Sequence, residues 1–301
     1  MNYGLANIAT IQGLLRKHNA IPLHQLGQHF LIDRSVVDDM VRLAHIDTGD
    51  ILIEIGTGMG VVTQKLLEQM AAVEAKAGRN SDLVSLFGIE LDRALVLIAT
   101  TVLTDAGFKN FKILNKNVLD VEITTLLPKN AVYTVVSSLP YYLTTPIIKK
   151  LLLEEPRMPQ RIVVLMQQEV AQRMTAQPPD MNFLAVMVQL VATVTIERDV
   201  SPRSFWPQPD VHSSLVVIEP RAPIDDVGRT VLRLAHEAFQ QKRKQLHTTL
   251  VKRCNIEASL VAKTLEKAGV GPTARPENLT IEQWRQIAAI IAPDLPRAKS
   301  S

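Results

Sequence analysis

The residues best placed to do chemistry are Ser138-Leu139-Pro140-Tyr141, one residue beyond the apolar, β-branched run VYTVV. A polar side chain, an exposed carbonyl before proline and an aromatic ring at the carboxyl end of a strand suit one purpose. They can hold a ring-bound amino group in line with an electrophile. The lone pair of such an amine is delocalised into its ring, so acceptors on its N–H groups favour the pyramidal geometry of attack. The aromatic after proline can stack on a base taken out of its helix. A second constellation lies upstream, where ILIEIGTGMG sets Gly56, Gly58 and Gly60 on a strand-to-helix turn that a ligand can approach closely. In GIELD, Glu90 stands at the end of the next strand, where a carboxylate can accept from ribose hydroxyls. Glu90 lies thirty-four residues beyond Gly56, so an insertion around 69–82 must lengthen the connection while leaving the two strands adjacent.

These groups need a scaffold, and the periodicity supplies one. A helix is expected from Asp33 to Ala44, capped by Asp33, with Val36, Val37, Met40 and Val41 on one side. The strand ILIEIG, a helix over 61–77, a polar loop at 78–82 and the strand LVSLFGIEL follow. Next come a helix, the strand FKILN, the strand VYTVVSS, a helix over 146–154, the strand RIVVLMQ, a helix over 168–175 and an apolar stretch at 183–196. Alternation of this kind predicts an α/β fold with a mostly parallel sheet covered on both faces. Prolines cluster between 202 and 223 around the strand-like SSLVVIEP. Beyond Asp225 the pattern is helical, over 227–240, 241–253, 256–268 and 280–291. A boundary is therefore expected between a domain over 1–222 and an all-helical domain over 223–301, which ends in a fraying PRAKSS.

Composition narrows the class. The 301 residues are 47% hydrophobic and 21% charged, as in ordinary globular proteins, and no apolar run is long enough for a bilayer span. The amino terminus lacks the order of a signal peptide and the single Cys254 can form no internal disulfide, so the expected compartment is the cytoplasm, with no membrane partner. Cys254 reads as a small helix hydrophobe, and no metal is expected. Charge is uneven: residues 221–301 carry 14 basic and 8 acidic side chains, against 19 and 22 before them. Gln240-Gln241-Lys242-Arg243-Lys244 and Lys252-Arg253 could track a phosphate backbone or form a solvated helix face.

LGQHFLIDRSVVDDMV, EIGTGMGVVT, GIELD, SLPYYLTTPII, MQQEVAQRM, SFWPQPDVHSSLVVIEPR, AFQQKRKQL and RPENLTIEQWRQIA occur in the order of the small-subunit ribosomal RNA adenine N6-dimethyltransferases, from about residue 26 to 291. The chain resembles this family, the KsgA group, which is related to the Erm resistance methyltransferases. The RPENLT block looks more like the former.

The resemblance implies a Rossmann-like class I methyltransferase sheet with a small helical domain for rRNA contact. It also implies S-adenosyl-L-methionine as cofactor, and transfer of methyl groups to adenines near the 3′ end of small-subunit rRNA. The partner would be the immature small ribosomal subunit and the protein a monomer. Position by position, His29 and Leu31 would line the cofactor's methionine end beside Gln28. Gly56 would lie under the cofactor, Glu90 at its ribose, and Asn117 at the position that contacts an adenine amino group. Ser138, Leu139, Pro140 and Tyr141 would form the catalytic turn, and Phe205 would close over the target base. Three positions depart from the family pattern: His29 and Ser138 replace asparagine, and Asn117 replaces aspartate. Asn117 retains a neutral acceptor, whereas Ser138 reaches less far and needs a backbone shift or a bridging water. A non-catalytic or weakly catalytic assembly factor and an Erm-type enzyme for large-subunit rRNA are the competing expectations.

Overall fold

The computed structural model describes residues 4–22, 27–78, 85–241 and 243–294. The loop expected at 78–82 lies outside them apart from Gly78, as do Lys242 and the PRAKSS terminus.

Helix α1 (Ile8–Lys17) precedes a short strand β1 (Phe30–Leu31). Helix α2 (Arg34–Leu43) starts where expected, because the Asp33 carboxylate accepts from the Ser35 N–H at 3.0 Å, and its Val36, Val37, Met40 and Val41 are buried. Then come β2 (Ile51–Ile55), α3 (Val61–Lys76), β3 (Leu86–Glu90), α4 (Arg93–Asp105), β4 (Phe111–Asn115) and β5 (Tyr133–Ser138). The expected helix over 146–154 begins earlier, as a 3₁₀ turn at Tyr141–Leu143 running into α5 (Thr144–Lys149), and ends in a π turn at Lys150–Glu154. Pro146 is thus tolerated in the first turn, where its missing N–H would have had no partner. The chain continues through β6 (Arg161–Gln167), α6 (Gln168–Thr175), α7 (Phe183–Gln189), β7 (Ala192–Val200), β8 (Phe205–Trp206) and β9 (Ser213–Pro220). The apolar stretch at 183–196 is therefore a helix followed by the start of a strand.

Seven strands form one sheet in the order β4-β3-β2-β5-β6-β9-β7. β2 pairs in parallel with β3 on one side (Ile55↔Ile89) and β5 on the other (Ile53↔Val135), and β9 runs antiparallel to β6 (Ile162↔Ile218). Burial of nearly every residue of β2, β5 and β6 explains their continuous apolar runs. The extra length between Gly56 and Glu90 is taken up partly by the sixteen-residue α3, and β2 and β3 are neighbours as expected. Apart from the main sheet, β1 and β8 form a two-stranded antiparallel ribbon with Phe30↔Trp206 and Leu31↔Phe205.

Contacts divide the chain into a unit of residues 1–171 with 195–220 and a second of 172–194 with 221–301. The expected boundary at 222/223 is thus incomplete, because 172–194 groups with the helical residues. The second unit holds α8 (Asp226–Phe239), α9 (Leu246–Cys254), α10 (Ala258–Lys267) and α11 (Ile281–Ile291), around a core that contains fully buried Trp284 and Leu234 together with Ala185 of α7. Asp225 caps α8 through the Gly228 N–H at 2.7 Å and takes both terminal nitrogens of Arg285, the nearer at 2.6 Å. The helix expected over 241–253 begins only at Leu246, so Arg243 and Lys244 sit in a connection rather than on a helix face. Cys254 is buried, which pushes its thiol pKa up and suits a packed hydrophobe. Among the described residues no helix is long and apolar enough to cross a membrane.

Candidate active site

A cleft opens at the carboxyl ends of β2, β3 and β5, where the chain's connections leave β2 in opposite directions. Open α/β sheets bind ligands at this switch point.

One wall is the glycine turn. Gly56 has φ +76° and Gly58 φ +54°, so glycine is needed for conformation. A Cβ on Gly56 would stand 3.6 Å from the Ser138 carbonyl, an ordinary contact. Space is the reason at Gly88 on β3, where a Cβ would fall 2.4 Å from the Thr57 methyl. Gly88 therefore lets the glycine turn sit directly on the neighbouring strand.

Glu90 ties this turn to the next. Its Oε2 accepts from the Gly58 N–H and its Oε1 from the Asp92 N–H, both at 2.9 Å, and the residue is only 8% exposed. Burial pushes its carboxyl pKa up, while these two hydrogen bonds work against that shift. Asn115 braces the strand end by donating to the Glu90 and Leu91 carbonyls at 3.1 and 2.8 Å. Gln28 donates to one oxygen of Asp92 at 3.0 Å while the other oxygen caps α4. Asn117 caps the 3₁₀ turn Val118–Asp120 by accepting from the Leu119 N–H at 3.1 Å, which leaves a lone pair and the amide N–H₂ for a ligand.

The opposite wall is the Ser138–Tyr141 turn. The backbone is fixed, since the Leu139 N–H donates to the Leu165 carbonyl at 3.0 Å and Ser137 Oγ donates to the Ile55 carbonyl. Tyr141 is held at both ends: its hydroxyl meets Ser213 Oγ at 2.8 Å, and its ring stacks on His29 with centroids 5.8 Å apart. Burial raises its phenol pKa and keeps it neutral. His29 Nδ1 lies 2.7 Å from the Pro207 carbonyl. That oxygen can only accept, so Nδ1 carries a proton and donates to it.

Of the site positions expected from sequence, Gln28, His29, Gly56, Glu90, Asn117, Ser138, Leu139, Pro140, Tyr141 and Phe205 all line this cleft, with Gly58 in the same turn as Gly56. Leu31 does not line it. Its side chain is 4% exposed in the core beneath, on the face of the ribbon opposite to that of Phe30, which lines the cleft. Phe205 is also 4% exposed and packs in that core, so it forms part of the cleft wall rather than a cover. Lys116, Leu91 and Tyr142 line the cleft without having been expected, and no spacing rule marks them. Sequence reading also missed Glu54 on β2, which is 1% exposed with Oε2 unpartnered among the described residues. Burial above all, with the charge of Glu90 adding, pushes its pKa up to about 8.

The family model for ribosomal RNA adenine dimethylase matches residues 23–293. The chain belongs to this family. Ribosomal RNA small subunit methyltransferase A of Clostridium botulinum (strain ATCC 19397 / Type A) is 34% identical to this chain over 272 residues, covering 88% of the chain and 92% of the relative. The protein of the same name from Dehalococcoides mccartyi is 32% identical over 88% of the chain and 87% of its own length. Two solved structures share the chain's fold. A dimethyladenosine transferase from Plasmodium falciparum aligns with TM-score 0.71 and 22% identity over 88% of this chain and 98% of that one. The 23S rRNA methyltransferase ErmE aligns with TM-score 0.67 and 21% identity over 87% and 99%.

Proposed function

We propose that this protein transfers methyl groups from S-adenosyl-L-methionine to N6 of one or two neighbouring adenines near the 3′ end of small-subunit rRNA. The observation that carries the reading is the meeting, in one cleft on either side of β2, of the Gly56–Glu90 wall and the Ser138–Tyr141 wall. The cofactor's fit rests on Glu90: each oxygen already holds one backbone N–H and keeps lone-pair capacity for a ribose hydroxyl.

When bound, the cofactor supplies an electrophilic methyl group on a sulfonium. Gly56 and Gly58 admit it close to the backbone, Glu90 holds its ribose, and Asn117 takes an adenine amino group with its free amide valences. Gln28 and His29 border the methionine end, where Leu31 could contribute only its backbone. Ser138 Oγ and the Leu139 carbonyl accept from the two N–H groups of the target amine, which favours the pyramidal nitrogen of attack. Tyr141, immobilised by Ser213 and His29, offers a ring on which the target base can stack, and Phe205 closes the wall beside it. The excess of basic side chains beyond residue 220, including Lys252 and Arg253 on α9, supports phosphate contact by the helical unit.

The test is incubation with methyl-labelled cofactor and either unmodified small subunits or large subunits, followed by mass spectrometry of the rRNA. Methylated adenines near the small-subunit 3′ end are expected. Label on large-subunit rRNA alone would point to the Erm-type activity. Tight binding to small subunits without transfer would point to an assembly factor.

A further inference from the structure

The 3₁₀ turn Tyr141–Leu143 presents two successive tyrosines in contrasting states. Tyr141 is pinned inside the cleft by Ser213 and His29. Tyr142 also lines the cleft but is 52% exposed, the one aromatic among the exposed large apolar side chains of the described residues. The turn at Gly27 lies beside it. Gly27 has φ +61°, and a Cβ there would stand 3.8 Å from Tyr142 Cδ1 and 3.9 Å from the Tyr141 nitrogen. That is ordinary contact, so glycine is needed there for its conformation, and the turn stands beside both tyrosines while much of the Tyr142 ring stays in water.

An enzyme acting on N6 of a base in a strand must unstack that base, and its neighbours are then left at the mouth of the site without their stacking partner. An aromatic face at that mouth recovers the lost stacking for any base, since every base has a π-face. We propose that Tyr142 is the stacking platform for the nucleotide adjoining the target adenine, an inference that rests on the rRNA methylation proposed above. It places two consecutive side chains on two consecutive bases, Tyr141 within the cleft and Tyr142 at its rim.

Single-turnover methylation of unmodified small subunits at saturating cofactor tests this, with wild type, Tyr142→Ala, Tyr142→Leu and Tyr142→Phe titrated over subunit concentration. Loss of one base–aromatic stack should weaken the subunit dependence about 5- to 150-fold in the Ala variant. Calorimetric cofactor affinity should not change. Leu, which has bulk but no π-face, should behave like Ala, and Phe should recover most of the loss. Wild-type behaviour of the Ala variant would overturn the assignment, as would rescue by Leu, while leaving rRNA methylation intact. Absence of transfer by wild type to any rRNA would instead refute the underlying reading, and the role of Tyr142 with it.

Discussion

Glu90 is the residue at which structure and ligand binding are hardest to separate. Its carboxylate accepts from the Gly58 and Asp92 N–H groups in a site only 8% exposed. Hydrogen bonds to a charged group contribute roughly 1.5–3 kcal/mol each. Glu90→Gln keeps one acceptor but turns an amide N–H₂ toward the other backbone N–H, so about one such bond is lost from folding. Removing a charge that burial disfavours offsets part of this, which puts the expected loss near the lower end of that range. Glu90→Ala strands both N–H groups and should cost more, roughly 1–3 kcal/mol for each unsatisfied donor. The effect on cofactor is of similar size, because the same oxygens would hold the ribose. The Gln variant should lose about 10- to 150-fold in affinity.

A cycle with a 2′-deoxy cofactor analogue separates the two roles. Calorimetry should show the analogue binding wild type more weakly than the parent cofactor, with little difference between them in Glu90→Gln. Urea denaturation reports the folding loss alone. If the analogue's penalty is the same in both proteins, Glu90 does not hold the ribose and serves only to join the two turns. If Gln changes neither affinity nor unfolding, the hydrogen-bond argument itself is wrong.

Three further outcomes follow from neighbouring residues. Glu54, with a pKa pushed up to about 8 against 4.5 unperturbed, keeps a proton in the folded state that the unfolded chain releases. Stability should therefore fall as pH rises through that window and flatten above it, by up to several kcal/mol. Glu54→Gln should flatten the slope in urea melts at about pH 5.5, 7 and 8.5, and an unchanged slope would assign the pH dependence elsewhere. Gly88→Ala forces a Cβ to 2.4 Å from the Thr57 methyl and should cost about 1–3 kcal/mol as well as weakening cofactor binding. Adding Thr57→Ser removes that methyl and should restore both, whereas no rescue would exclude the clash as the cause. Ser138→Asn should raise single-turnover methylation about tenfold at unchanged cofactor affinity, the effect of roughly 1.4 kcal/mol in the transition state, and Ser138→Ala should lower it. Equal rates in all three proteins would remove the side chain from the mechanism.

The parts legible in sequence were those governed by local chemistry. Asp33 announces a helix start because its carboxylate caps within two residues, and β2, β5 and β6 read as strands because both faces are buried. The parts that escaped depend on partners far along the chain. Leu31 lies in the core on the face opposite to Phe30 of a ribbon paired with Phe205 and Trp206, and the His29 Nδ1 proton goes to the Pro207 carbonyl, 178 residues away. Residues 172–194 join the helical unit although they precede the proline cluster in sequence, since Met181, Ala185 and Val186 pack in its core. Gln240 to Lys244 carry helix-compatible side chains, yet α9 starts only at Leu246. The buried state of Glu54 is equally invisible in ILIEIG, where a strand-end carboxylate reads like any other.

Tertiary contacts also distinguish the three departures from the family pattern. Asn117 and His29 are both committed to the backbone, one accepting from Leu119 and the other donating to Pro207, so each holds a turn or ribbon whatever ligand it meets. Replacing aspartate by asparagine keeps the cap, because the amide oxygen accepts as the carboxylate would, at lower strength. His29 gains a ring that stacks on Tyr141, which an asparagine could not provide. Ser138 carries no comparable second role. Its hydroxyl has no partner among the described residues, and its backbone is fixed by the β6 pairing Ser138↔Leu165 and the Leu139 hydrogen bond. The short stem therefore cannot be offset by moving the strand end. Either a water spans the gap from Ser138 Oγ to the amine or the Leu139 carbonyl carries the larger share of the acceptor work. The Ser138→Ala rate discriminates between these, since a carbonyl-dominated site would lose little and a water-bridged one would lose the bridge with the hydroxyl.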